Sequence, residues 1–230
     1  MLNGHQQVAC SGLKGFDCNT VLSDSQIQAF VRAGYKFVCR YVKRSTVHSG
    51  DLTASEAARI LQGGLGLMAV QHVDLPGWRP SASLGVAYGQ GAVEHMQEIG
   101  FPAGSMVWLD LEGVAPGTPH MAVRDYCKSW HQVAAASGFL PGIYVGYQPG
   151  LTASELYYGL PFTHYWAAYN LDGDQEPVVR GCQMRQRAKK SPDVPRGVDL
   201  DFDVNEIRPD KLGGVPQILA SQGWVNSLVG

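Results

Sequence analysis

The chain has 230 residues, with 18 Lys and Arg against 20 Asp and Glu and a formal net charge of −2, which fits one large domain with a sizeable core and, with no long basic stripe, excludes nucleic acid as an electrostatically chosen partner. No segment reaches about 18 uninterrupted apolar residues, so no membrane span is expected. Five widely spaced cysteines, at 10, 18, 39, 127 and 182, include no CxxC pair, which argues against a zinc or dithiol motif and for mostly reduced core residues; a bond between Cys18 and Cys39 stays open.

Residues 1–12 read as an N-terminal extension, without the charged start and apolar run of a secretory signal. The expectation is a chain that is cytoplasmic when made. Residues 15–18 form a short strand, and Ser23-Asp24-Ser25-Gln26 opens a helix with Ile27, Phe30 and Val31 as its apolar stripe, closed by Gly34. A second strand over 36–42 precedes Thr53-Ala54-Ser55-Glu56, a capping box starting a helix that ends at Gly63-Gly64. A third strand, 67–73, leads through a Pro, Gly and Trp-rich loop to a helix over 84–99. A strand over 106–112, a helix over 120–137, a strand over 142–147, a short helix from Thr152-Ala153-Ser154-Glu155 and a strand over 164–170 continue the alternation. Beyond Asn170 the helices stop: 178–187 and 197–202 read as closing strands, and 211–230 as a C-terminal tail with weak helical character near 218–228.

Such alternation predicts an α/β fold with parallel strands. The count, about eight strands and five main helices, favours an irregular TIM-like (β/α) barrel over residues 13–210. An open dinucleotide-binding sheet would need a glycine fingerprint after the first strand, and residues 18–23 contain no glycine. Gly64-x-Gly66-x-x-Ala69 precedes its strand and Gly89-x-Gly91 lies within a helix, so both read as caps or close packing.

Within the strand over 106–112, WLDLEG places Asp110 and Glu112 on one face, roughly 7 Å apart along the backbone, and Leu109 and Leu111 on the other. Two unpaired buried charges cost several kcal/mol each, about, so the carboxylates must be paired, share protons or face a wet cleft. A solvent-facing antiparallel strand is the alternative. In a barrel, active groups gather at the C-terminal ends of strands, and further acids fall there: Asp17 on the first, Asp199 and Asp201 on the last. Arg40 and Tyr41, Gln71 and His72, Tyr144 and Tyr147, and Trp166 and Tyr169 accompany them. Acids ringed by aromatics describe a sugar cleft, with rings stacking on pyranose faces. Each has a plainer alternative: Asp17 could cap a turn, His72 could be a satisfied strand-end histidine, Tyr144 and Trp166 could be core. The aspartates at 199, 201 and 203 lack the glycine and terminal glutamate of a calcium loop, and no H-E-x-x-H occurs, so no metal or cofactor is expected.

The ordered set F-D, L-D-L-E, Y-W-A-A-Y and V-D-L-D resembles the family 25 glycoside hydrolases, bacterial and phage muramidases. GFDCNT, GYKFVCRYV, DLTASEAARILQGGL and GVAYGQGAVEHMQEIGFP, with WLDLEG, are more similar still to a branch of glycoside-hydrolase-like barrels, domain of unknown function type 1906, over about residues 13–206. The resemblance implies a barrel with fewer helices than strands and a lysozyme-like hydrolase acting on β-1,4 linkages of peptidoglycan. It implies Glu112 as general acid, Asp110 as its partner, Asp17 and Asp199 as further cleft acids, Tyr144 near the reacting centre and Gln186 as the retained subsite amide, while Arg40, Gln71, Trp166, Tyr169 and Asp201 are expected as substrate contacts from their places at the strand ends. The reaction is either substrate-assisted or runs by a direct covalent or inverting route. Where the muramidase pattern has W-Q-Y, this chain has Arg185-Gln186-Arg187, so that subsite differs. A non-hydrolytic cell-wall-binding barrel is the alternative. Reaching the periplasm or wall would then call for a phage lysis system or a secretion apparatus, with an unknown delivery partner or immunity protein.

Overall fold

A computed structural model describes residues 1–228. In chain order the elements are β1 (His5–Val8), β2 (Lys14–Cys18), α1 (Asp24–Arg32), β3 (Phe37–Val42), α2 (Ala54–Gln62), β4 (Gly66–Gln71), α3 (Ala82–Ile99) and β5 (Met106–Leu111). There follow α4 (His120–Ala136), β6 (Leu140–Val145), α5 (Ala153–Tyr158), β7 (Tyr165–Ala167), β8 (Met184–Arg187), β9 (Asp203–Ile207), β10 (Gln217–Ala220) and α6 (Gln222–Asn226).

Local chemistry sets most of these boundaries. Ser23 and Thr152 form full capping boxes with Gln26 and Glu155, satisfying amide donors that the first helical turn leaves free. Thr53 caps Glu56 N, but the expected box is only half formed. The Glu56 side chain turns inward instead, because Arg40 is buried beneath it and takes the carboxylate at 2.9 Å.

Eight strands close a TIM-like barrel in the order β2-β3-β4-β5-β6-β7-β8-β9, with β9 returning to β2. The pairs from β2 through to β8 around the β3, β4 and β5 side are parallel, as the alternation predicts. β9 is the exception, antiparallel to both β8 and β2. A parallel return needs a crossover, usually a helix. Between β8 and β9 there is only a single 3₁₀ turn at Ser191–Asp193, so the chain doubles back. The strand expected over 197–202 therefore begins later, at Asp203, and its first residue rather than its last stands at the barrel mouth.

The two ends of the chain meet on the outside. β1 pairs antiparallel with β10, and β10 joins β4 where Leu219 faces Leu67. Helical character was expected near 218–228, but only α6 is helical, anchored by buried Trp224, whose indole donates to the Lys36 carbonyl at 2.5 Å. The last two residues of the expected tail, 229 and 230, lie outside the described residues.

The core has two shells. Between β2 and α1, Phe16 stacks on Phe30 at 3.7 Å, with Tyr35 and Phe202 edge-on. Between α3 and α4 a side chain at Gly89 would crowd Val133, and one at Gly91 would overlap the Arg44 carbonyl, so this Gly-x-Gly serves close packing as expected. The other shell fills the barrel interior and forms the floor of its mouth. The cysteines are free thiols, with Cys18, Cys39 and Cys127 buried.

Candidate active site

Register decides which side chains face the interior. On β5, Trp108 and Asp110 point inward and Glu112 follows just past the strand end. Tyr144 lies beside Asp110, and Trp166 beside Tyr144. Trp108 meets Trp166 edge-on at 5.8 Å, Trp166 meets Tyr144 at 4.6 Å, and the Trp108 indole donates to Met68 Sδ at 3.4 Å. This aromatic floor excludes water below the acids and lowers the local dielectric.

Asp110 is 3% exposed, and its Oδ1 finds no hydrogen-bond partner among the described residues. Burial, then the neighbouring Glu112 and Asp17, push its carboxyl well above the usual carboxylate range. Burial raises Glu112 as well. Two acids this close in such a medium resist ionising together, so they titrate as a pair. Gly146, just past β6, makes the arrangement possible: a Cβ there would overlap the Glu112 carboxylate.

Asp17 lies directly across from Asp203, because β9 runs antiparallel to β2. Asn205 Nδ2 donates to Asp17 Oδ1 at 2.7 Å, and Gln186 Nε2 donates to Asp17 at 3.1 Å and to Asp203 at 3.3 Å. The Tyr144 hydroxyl completes the chain by donating to Gln186 Oε1 at 3.1 Å. Burial nevertheless outweighs those bonds and pushes Asp17 up to about 7, with Asp203 and Glu112 adding repulsion. Asp203 is raised too, first by burial and then by Asp201.

These groups line a cavity of about 240 Å³, together with Tyr41, Tyr147, Tyr169 and Asn170. Eight of the residues singled out from sequence thus come together: Asp17, Tyr41, Asp110, Glu112, Tyr144, Tyr147, Tyr169 and Gln186. The others do not. Asp199 is exposed in the connection before β9, and the place expected for it is taken by Asp203. Asp201 is exposed, bonds Lys189 at 3.2 Å and reaches only an adjoining recess of about 130 Å³. Arg40 aligns with Cys18, not Asp17, and so turns to the outer face, where Glu56 holds it. Gln71 aligns with Leu109, away from the acids, and its amide bonds the His72 carbonyl. Trp166 is buried floor. On β8, alternation sends Gln186 inward while Arg185 pairs with Glu176 and Arg187 with Asp193, so the two arginines stand outside the cleft.

Sequence reasoning missed Asp203 as a cavity residue and Asn205, fully buried, as the donor that holds Asp17, although Asp203-x-Asn205 repeats the alternating polar signature of Asp110-x-Glu112. Gly146 and Asn170 carried no comparable signal. Among the described residues, no group of three His, Cys, Asp or Glu is placed to hold a metal ion, and no helix is long and apolar enough to cross a membrane.

The chain is similar to known proteins in both sequence and fold. The family model described as "Rv2525c-like, glycoside hydrolase-like domain" matches residues 28–207. An uncharacterized B. stearothermophilus protein superposes with a TM-score of 0.65 at 20% identity, over 86% of this chain and 96% of that one. The Tat-secreted protein Rv2525c of Mycobacterium tuberculosis gives a TM-score of 0.59 at 18% identity over 86% and 95%. The lysozyme of Streptomyces coelicolor gives 0.60 at 16% identity over 87% and 94%. No curated protein matches the chain by sequence.

Proposed function

From the premise that the chain belongs to the Rv2525c-like glycoside hydrolase-like family, we propose that it hydrolyses β-1,4 linkages of peptidoglycan, with Glu112 as general acid. One observation carries this reading: Asp110, a buried carboxyl with a bare oxygen, lines an open cavity beside Glu112. A purely structural acid would have been given a partner. The fold shared with a lysozyme supports it.

In this mechanism Glu112, its pKa raised by burial, gives its proton to the glycosidic oxygen as the bond to the anomeric carbon breaks. The substrate's own acetamido oxygen attacks that carbon from the opposite face, and Asp110 accepts a hydrogen bond from the acetamido N–H as positive charge develops. Water then opens the ring so formed, losing its proton to the Glu112 carboxylate. Tyr144, Gln186, Asp17 and Asp203 hold the sugar hydroxyls through their shared hydrogen-bond chain. Tyr147 and Tyr169, 38% and 56% exposed, offer ring faces at the rim.

A non-hydrolytic glycan-binding barrel is the second reading, favoured by the small volume of the acid pocket, about 240 Å³. Release of reducing ends from purified peptidoglycan, with products identified by mass spectrometry, separates the two. Products ending in reducing N-acetylmuramic acid from wild type, absent with Glu112→Gln, support hydrolysis. Sugar binding without new reducing ends across pH 4 to 8 would replace it with the binding role.

A further inference from the structure

Glu112 stands one residue past the end of β5, beyond the ladder that fixes Asp110: the last pair joining β5 to β6 is Leu111 with Val145. Its carboxylate is not fixed by a partner either, since burial is the one cause of its raised pKa and no hydrogen bond among the described residues offsets it. A group that delivers a proton to one atom has to be aimed, and a displacement of about 1 Å can cost roughly a hundredfold in rate. The aim of Glu112 therefore rests on the backbone of the turn that carries it.

That turn, residues 112–115, is clamped from both sides. On one side the Gly113 N–H donates to the Tyr147 carbonyl at 2.8 Å and the Val114 N–H to the Gln148 carbonyl at 3.1 Å. On the other lies the Pro, Gly and Trp-rich loop after β4. Here the Gly77 N–H donates to the Gly113 carbonyl at 2.7 Å, the Ala115 N–H donates to the Trp78 carbonyl at 2.9 Å, and Trp78 pairs with Val114 in an isolated parallel bridge. The Glu112 carbonyl is left to a side chain, and the Trp78 indole N–H donates to it at 2.8 Å. Gly113 permits the fit, with φ of +62° and a Cβ position only 3.1 Å from the Tyr147 hydroxyl and 3.3 Å from Pro76 Cα.

Trp78 is itself held from outside the barrel. It is 8% exposed and lies edge-on to Tyr126 of α4 at 5.0 Å, and Tyr126 lies edge-on to Tyr88 of α3 at 6.2 Å. Tyr88 donates to Asp74 at 2.8 Å and Arg44 pairs with Asp74 at 2.6 Å, so the loop is pinned at its start as well as at its tryptophan. The Trp78 ring does not line the acid pocket, so its effect on the acid passes through the backbone.

We infer that Trp78 is a positioning residue for Glu112: its indole N–H fixes the Glu112 carbonyl and with it the direction in which the Glu112 side chain leaves the chain. Packing between α3 and α4 thereby sets the aim of the acid. That Glu112 acts as an acid rests on the function proposed above.

Trp78→Phe in the full chain keeps a ring against Tyr126 and removes the N–H. In peptidoglycan turnover, kcat is expected to fall at least about tenfold with KM within about twofold of wild type, because Trp78 aims the acid and touches no sugar. The Glu112 carboxyl, followed by carbon-13 NMR and assigned with Glu112→Gln, is expected to titrate at lower pH than in wild type. Burial is what raises it, and a side chain released from its fixed direction reaches water. The ionisable groups around it, Asp110 on its own strand and Asp17, Tyr41, Tyr144, Tyr147 and Asp203 from β2, β3, β6 and β9 and the turn after β6, are unchanged by the substitution. Trp78→3-benzothienylalanine, which places sulfur where the N–H was within nearly the same outline, carries both readings if Phe leaves the chain unfolded. A wild-type kcat, a KM that rises as strongly as kcat falls, or an unmoved Glu112 titration in folded protein would each overturn the assignment. Wild type without turnover removes hydrolysis alone, and the carboxyl titration then decides whether Trp78 aims Glu112.

Discussion

Charge is buried in this barrel on both sides of its wall, and the two places treat it differently. On the outer side, Arg40 and Glu56 are fully buried and bonded all round: Arg40 donates to Glu56 at 2.9 and 3.1 Å, to the Gly50 carbonyl at 2.8 Å and to the Cys18 carbonyl, while Glu56 accepts the Leu22 amide at 2.9 Å. On the inner side, Asp110 and Glu112 face Asp17 and Asp203 with no Lys or Arg bonded to any of the four among the described residues. The paired charges tie three segments of the mouth into place. Burial raises the pKa of each of the unpaired ones, so they keep their protons to higher pH than free carboxyls do, which is the direction a general acid needs.

Breaking the outer pair should produce the largest loss of stability. Arg40→Met strands the Glu56 carboxylate in the core and is expected to lower the unfolding free energy by about 3–5 kcal/mol, measured by denaturant titration. A wild-type midpoint in that variant would mean the pair is not buried in solution. The inner pair should respond in the opposite sense. Glu112→Gln is expected to cut peptidoglycan turnover by about 10²–10⁴-fold while leaving the melting temperature unchanged or higher, because it removes repulsion and no favourable pairing. A cooperative loss of structure on that substitution would make Glu112 a scaffold residue.

A smaller effect sharpens the contrast through pH. Asp17 titrates at about 7 in the folded chain and near 3.8 when unfolded, so between those values the folded state binds more protons. Stability should therefore fall as pH rises from about 4 to about 7 and level off above. Asp110, raised in the same direction, contributes to the same trend. Asp17→Asn should flatten the slope of melting temperature against pH, and an unchanged slope would show that Asp17 is already ionised at low pH. The smallest effects separate two neighbouring acids. Asp203→Asn should lower turnover, whereas Asp199→Ala, exposed and outside the cavity, should leave it at the wild-type rate in the same assay.

Much of the inner site was legible because a strand's two-residue period is a local property. Asp110 and Glu112 had to share a face, and that face had to oppose Leu109 and Leu111. The same reasoning failed for Arg40 and Gln71, placed at strand ends beside the acids, because parity relative to neighbouring strands was needed to see that both point outward. It failed for Asp199 because the direction of β9 depends on the missing crossover helix, and reversing a strand exchanges which of its ends reaches the mouth.

From sequence alone came the alternation of strand and helix, the capped starts at Ser23 and Thr152, the barrel class and the acid pair on β5, all governed by spacing and by neighbours a few residues away. The tertiary structure decided that Glu56 leaves its cap for Arg40, that chain ends pair as β1 and β10, and that Asp203 rather than Asp199 faces Asp17. Those outcomes rest on contacts between segments far apart in the chain, where burial and strand register, rather than local preference, set the lowest free energy.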